Sequence, residues 1–189
     1  MMLMKILKSK KAFWSLLLIL FLEAISAFWY LKKPTQLATR NSQPTISKTS
    51  QPVSLFLDPS AAEFPTGKEF QVAIVLSTGQ KSAIGADVIL KYDPEKLEVL
   101  EITPGQIFEL YPELEIQEEK VLISAISQEG KLFSGQGILA QLVLKGKVPG
   151  ETKLKFEFEP GQTTDSNVAI KNTQPDGLEE VKNGSYTFK

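Results

Sequence analysis

Asp93 with Glu95, and Glu179 with Glu180, are the acid pairs through which this sequence would do chemistry, since two carboxylates at the right separation share acid and base work on a glycosidic bond. Each pair has a plainer reading. Asp93-Pro94 opens a turn, and Glu179-Glu180 follows Asp176-Gly177 in a loop, so both read as solvated charge and no catalytic function is expected. Asp165-Ser166-Asn167 begins as a calcium loop begins. Its fifth and sixth positions are Ala169 and Ile170, where an EF-hand places a ligand and a glycine, and a polar loop is the better account. Asn183-Gly184-Ser185 fits a glycosylation sequon, but a turn into a last strand is preferred. The 189 residues include no His and no Cys, which removes imidazole bases, thiol nucleophiles, disulfides and the usual zinc sites. No cofactor and no metal are expected on this chain.

The elements that would position any remaining function divide by charge. Residues 1–52 carry eight basic residues and one acid, Glu23, whereas residues 53–189 carry 13 basic residues and 21 acids, so +7 precedes −8 and the sum is −1. A domain at −8 repels phosphate backbones, and nucleic acid is not an expected partner. Residues 12–31, from Ala12 to Leu31, form an apolar run between Lys11 and Lys32. At helical rise its length matches a bilayer core of about 30 Å. Trp14 and Trp29-Tyr30 sit near its ends, where amphipathic rings favour the interface, and Glu23 in its middle reads as a tolerated carboxyl. The run is read as an uncleaved transmembrane signal anchor behind a basic cytoplasmic end, residues 1–11, with the rest of the chain outside the cytoplasmic membrane. The rival is a signal peptide cleaved near Ile25-Ser26-Ala27, against which Phe28 to Leu31 extend the apolar run.

Residues 32–52 form a spacer: from Pro34 to Pro52, 13 of 19 residues are Pro, Thr, Ser or Gln, a composition that buries no core. From Val53 the hydrophobic period becomes two. Phe70, Val72, Ile74 and Leu76 alternate with Gln71, Ala73 and Val75; Ile84, Ala86, Val88 and Leu90 alternate with Gly85, Asp87, Ile89 and Lys91. Val121, Ile123 and Ala125 oppose Leu122, Ser124 and Ile126, and Ile138, Ala140 and Leu142 oppose Leu139, Gln141 and Val143. Turn signals such as Pro104-Gly105, Pro149-Gly150 and Asn183-Gly184 punctuate these runs. Many short strands without an amphipathic helix predict an all-β, two-sheet sandwich over 53–189.

An outward sheet face is ordinarily polar. Here Ile89, Leu122, Ile126, Leu139 and Val143 are outward and apolar, with Asp87, Lys91, Ser124 and Gln141 among them. Cover by loops explains some of these positions. The functional reading is a flat protein-binding surface, apolar for affinity and polar for register.

The ordered set of motifs resembles the cohesin domain family. Gly85-Ala86-Asp87-Val88-Ile89-Leu90-Lys91-Tyr92-Asp93-Pro94, then Leu97 to Leu100 and Thr103-Pro104-Gly105, is similar to that family's third-strand region. Gly137 to Lys145 resembles its D-G-x-L-A-x-I-x-x-K strand, and Asn183 to Phe188 its closing strand. The resemblance implies a jelly roll of about nine strands that binds a dockerin, a calcium-loaded helical module, with the calcium on the partner. By motif, Asp87 matches a partner-bonding acid, Ile89 lies on the same face, and Leu122, Ser124 and Ile126 fall on the neighbouring contact strand. Gly85 stands where dockerin-binding members often carry Asn. The expected function is a membrane-anchored module that captures a dockerin-type protein at the cell surface in polysaccharide breakdown. The alternatives are direct polysaccharide binding, for which Phe108, Tyr111 and Phe133 are the available aromatics, and a structural or adhesion module.

Overall fold

The computed structural model describes residues 51–172 and 176–189. The expected membrane helix at 12–31, the basic end at 1–11 and nearly all of the spacer lie outside the described residues. Among those described, no helix is long and apolar enough to cross a membrane.

The described chain is all strand and turn. In order the strands are β1 (Ser54–Asp58), β2 (Ala61–Phe64), β3 (Glu69–Ser77), β4 (Ala83–Lys91), β5 (Leu97–Pro104) and β6 (Leu110–Ile116). They continue with β7 (Lys120–Ile126), β8 (Gln136–Gly146), β9 (Gly150–Phe156), β10 (Asn167–Ile170), β11 (Glu180–Lys182) and β12 (Gly184–Phe188). One sheet runs β11-β1-β3-β8-β5; the other runs β2-β12-β9-β4-β7-β6, with β10 also paired to β4. The sandwich is as expected, with twelve strands described in place of about nine. The difference lies in short pieces. Asp58-Pro59 interrupts the first strand, since proline supplies no ladder donor, and the chain crosses from one sheet as β1 to the other as β2. β10 and β11 are only four and three residues long.

The inward positions of both sheets close one core, including Leu55, Ile74, Leu90, Ile123, Leu142 and Tyr186, all essentially unexposed. One end is aromatic. Phe64 stacks on Phe70 at 3.9 Å between centroids, and Tyr186 and Phe188 lie 5.6 and 5.7 Å from Phe70. The fully buried Tyr186 donates its hydroxyl proton to the Pro59 carbonyl at 2.9 Å, so the core's largest polar group is satisfied. Burial, with Asp58 nearby, pushes that phenol's pKa upward.

Three side chains fall on the opposite face from that expected: Ile84, Leu139 and Ile138, the last placed inward by alternation but 40% exposed. Ile84, placed on the core face by alternation, is 42% exposed, because β4 slips register there: Gly85 pairs with Ala169 but Ala83 pairs with Ile170. Leu139, placed outward, is fully buried, because β8 bulges at it: Ala140 pairs with Ile74 and Ile138 with Val75. One extra residue turns every later side chain to the other face. Leu139 therefore belongs to the core, and Val143 and Gln141 lie on the five-stranded sheet, away from Ile89, Leu122 and Ile126.

Candidate functional site

β4 and β7 are antiparallel neighbours in the middle of the seven-stranded sheet, and their register puts Gly85 opposite Ile126, Asp87 opposite Ser124 and Ile89 opposite Leu122. All six residues singled out by sequence thus meet on one outer face as three facing pairs. Their sequence neighbours Ala86, Val88, Leu90, Val121, Ile123 and Ala125 are buried behind them, so a rigid core sets the face. Asp87 and Ile126 are exposed, whereas Ile89, Leu122 and Ser124 are half-buried.

The flanking strands widen the face with residues that sequence reasoning missed. β6 sets Leu110 beside Ile126, Glu113 beside Ser124 and Glu115 beside Leu122. On the other side β10 sets Asn167 against Asp87, its amide donating to the Asp87 carboxylate at 3.4 Å. The Asn167 amide also reaches the carbonyls of Asp165 (3.2 Å) and Thr163 (3.4 Å), so the side chain is fixed and orients Asp87. The signal for β6 was present in Glu113-Leu114-Glu115-Ile116, where charge and apolar positions alternate. Pro112, tolerated only at an edge, obscured it.

The face is graded along its strands. At one end Ile84, Leu110 and Ile126 are 42%, 50% and 42% exposed. The middle carries Asp87, Glu113 and Glu115. The far end carries Lys91 and Lys120, facing each other across β4 and β7 and both paired to Glu157, at 2.9 and 3.3 Å. These lysines hold the Glu157 carboxyl below the ordinary glutamate range. A depressed carboxylate pKa favours the folded state above that range, and the contribution fades as pH falls through it; exposure keeps it small.

The other sequence candidates are occupied structurally. Asp93 accepts the Glu95 amide at 3.0 Å as a turn residue, and Glu179 pairs with Lys81. Asp165 accepts the Glu159 amide, and the Ser166 hydroxyl stands in for a strand partner, accepting the Ile89 amide at 3.0 Å and donating to the Ile89 carbonyl at 3.2 Å. Asn183 accepts the Phe156 amide at 2.8 Å, capping β9 at the turn into β12. Among the described residues no group of three or more acids is placed to hold a metal ion. Phe108 is buried edge-on against Phe133 at 6.1 Å, and Tyr111 donates to the Leu139 carbonyl at 2.7 Å, so these aromatics close the core's end and do not line up as a sugar platform.

Gly85 has a steric reason. A Cβ there would lie 2.8 Å from the Ala125 carbonyl oxygen and 3.1 Å from the Ile126 side chain. Gly85→Asn is therefore expected to lower stability by about 1–3 kcal/mol, read by denaturant unfolding. An unchanged midpoint would show that β7 yields easily at this point.

No curated protein matches the sequence. Solved structures do match. The sixth cohesin of scaffoldin B from Acetivibrio cellulolyticus, solved with a mutant Cel5 dockerin, is 17% identical with a TM-score of 0.60, covering 74% of this chain and 100% of that one. The OlpA cohesin from Clostridium thermocellum, solved with a dockerin as a type I complex, is 17% identical with a TM-score of 0.58 over 74% of this chain and 100% of that one. A non-cellulosomal cohesin from the archaeon Archaeoglobus fulgidus is 16% identical with a TM-score of 0.54 over 74% and 92%. At such identities the likeness speaks for the fold. The cohesin domain family model, in turn, matches residues 55–178, from the second residue of β1 to beyond β10. With more than half of its length inside that match, the chain belongs to the cohesin family.

Proposed function

We propose that this chain captures a dockerin-type protein on the outer face of β4, β7 and β6, and that residues 12–31 hold it in the membrane with the sandwich outside the cytoplasmic membrane. Cohesin domains are non-catalytic binding modules, and two of the structural relatives described above were solved bound to dockerins. The observation that carries the reading is the graded face itself. Exposed Ile84, Leu110 and Ile126 adjoin an acidic row that runs from central β4 to edge strand β6, the mixture that gives affinity through apolar contact and orientation through charge. A partner that fits presents aliphatic side chains to the first end and cationic donors to Asp87, Glu113 and Glu115. Calcium belongs to that partner and not to this chain. A place in polysaccharide breakdown follows from the same reading.

The test is a pull-down with the full chain against exported proteins of its own source, with calcium and then with a chelator. A retained protein that carries paired calcium-loop repeats and is released by the chelator supports the proposal. A folded chain that retains none contradicts it and turns attention to insoluble polysaccharide. Because the middle row is acidic, association is also expected to slow roughly tenfold between low salt and about 0.5 M salt, measured by stopped-flow or surface-based kinetics.

A further inference from the structure

A second feature lies apart from the apolar end of the docking face and does not depend on dockerin capture. Where β9 parts from β4, the turn at 92–96 and the start of β9 enclose a cleft of about 550 Å³. Four lysines line it, Lys91, Lys96, Lys153 and Lys155, against two acids, Asp93 and Glu151. The excess is positive on a part of the chain, 53–189, whose formal charge is −8.

The chain's own carboxylates answer only part of this lysine cluster. Lys91 lies directly across from Lys155 on one side and from Lys120 on the other, three like charges in a row over adjacent strands. Like charges directly opposite each other in a sheet repel. Glu157 answers Lys91 and Lys120, and Asp93 stands 3.9 Å from Lys96. Among the described residues no carboxylate lies within 4.0 Å of Lys153 or Lys155, both exposed on the outer side of β9. The walls are fixed. The Tyr92 hydroxyl donates to the Gln117 carbonyl at 2.7 Å, and the Lys96 ammonium reaches across to the Glu151 carbonyl at 3.4 Å. The cleft is therefore a concave, held arrangement of cations, two of them unneutralised.

We infer that this cleft binds an oxyanion, a carboxylate or phosphate group of a small ligand or of an acidic polysaccharide, with Lys153 and Lys155 as its principal ligands. A bound anion removes the repulsion along the Lys155–Lys91–Lys120 row and supplies the carboxylate that the protein does not.

The experiment titrates the full chain, isotopically labelled in neutral detergent, with inorganic phosphate and separately with polygalacturonate, at constant ionic strength held by sodium chloride. Saturable amide shifts confined to Tyr92, Lys96 and Lys153–Lys155 are expected from one or both, and which anion saturates identifies the source. Lys153→Ala with Lys155→Ala is expected to weaken binding at least tenfold, whereas Lys68→Ala with Lys182→Ala, two exposed lysines elsewhere, leaves it unchanged. Both pairs are exposed, so the fold is retained and the comparison stands. Shifts that never saturate, or equal weakening by both double variants, overturn the inference.

Discussion

An Asp87→Ala, Ile89→Ala variant is expected to lose partner capture by roughly a hundredfold or more while the sandwich stays folded. The two side chains occupy consecutive outward positions of β4, opposite Ser124 and Leu122, at the centre of the graded face. Central, rigidly backed residues carry most of an interface's energy, and two of them at about 1.5–2 kcal/mol each reach that factor. Asp87 is exposed and Ile89 half-buried, so truncation leaves little cavity. Affinity by calorimetry and folding by near-ultraviolet dichroism separate the two effects. Affinity that survives with the fold intact would move the contact to another surface. Asn167→Ala gives a graded version: it keeps Asp87 but releases the amide that orients it, and a several-fold loss is expected, smaller than that of removing Asp87.

The largest expected effect on stability is at Tyr186. Its ring lies against Phe64 and Phe70 with no exposure, and its hydroxyl holds the Pro59 carbonyl. Tyr186→Ala is expected to cost roughly 3–5 kcal/mol, a fall in midpoint of roughly 10–20 °C by calorimetry. Tyr186→Phe keeps the ring and leaves only the Pro59 carbonyl without its donor, at about 1–2 kcal/mol. Equal losses in the two variants would mean that the hydroxyl, and not the packed ring, dominates this end of the core.

The sandwich and the central pair of strands were legible because Asp87, Val88, Ile89 and Leu90, like Val121 to Ile126, keep strict alternation, and alternation reports which side of a sheet faces the core. It fails where one strand contains an extra residue. Neither Ile84 nor Leu139 differs in kind from its neighbours, and nothing local marks them as bulges; only the partner strand's register shows it. The same limit hid the flanks of the face. β10 is four residues long and begins within a stretch that reads as a polar loop, yet its Asn167 and the adjoining Ser166 complete the β4 edge. β6 carries a proline at its centre and charges on its outward side, so it resembles a linker until β7 is beside it.

The division of the first strand between the two sheets has a mechanical consequence. β1 lies between β3 and β11, while β2, two residues further on, runs parallel to β12. Tension on the chain upstream of Val53 pulls along the β1 axis, so the ladders to β3 and β11 are loaded together in shear and do not open one bond at a time. Beyond Pro59 the β2–β12 ladder in the opposite sheet takes up the same pull. A load applied at the N-terminal end of the sandwich is thus met by hydrogen bonds in both layers before β4 and β7 bear any of it.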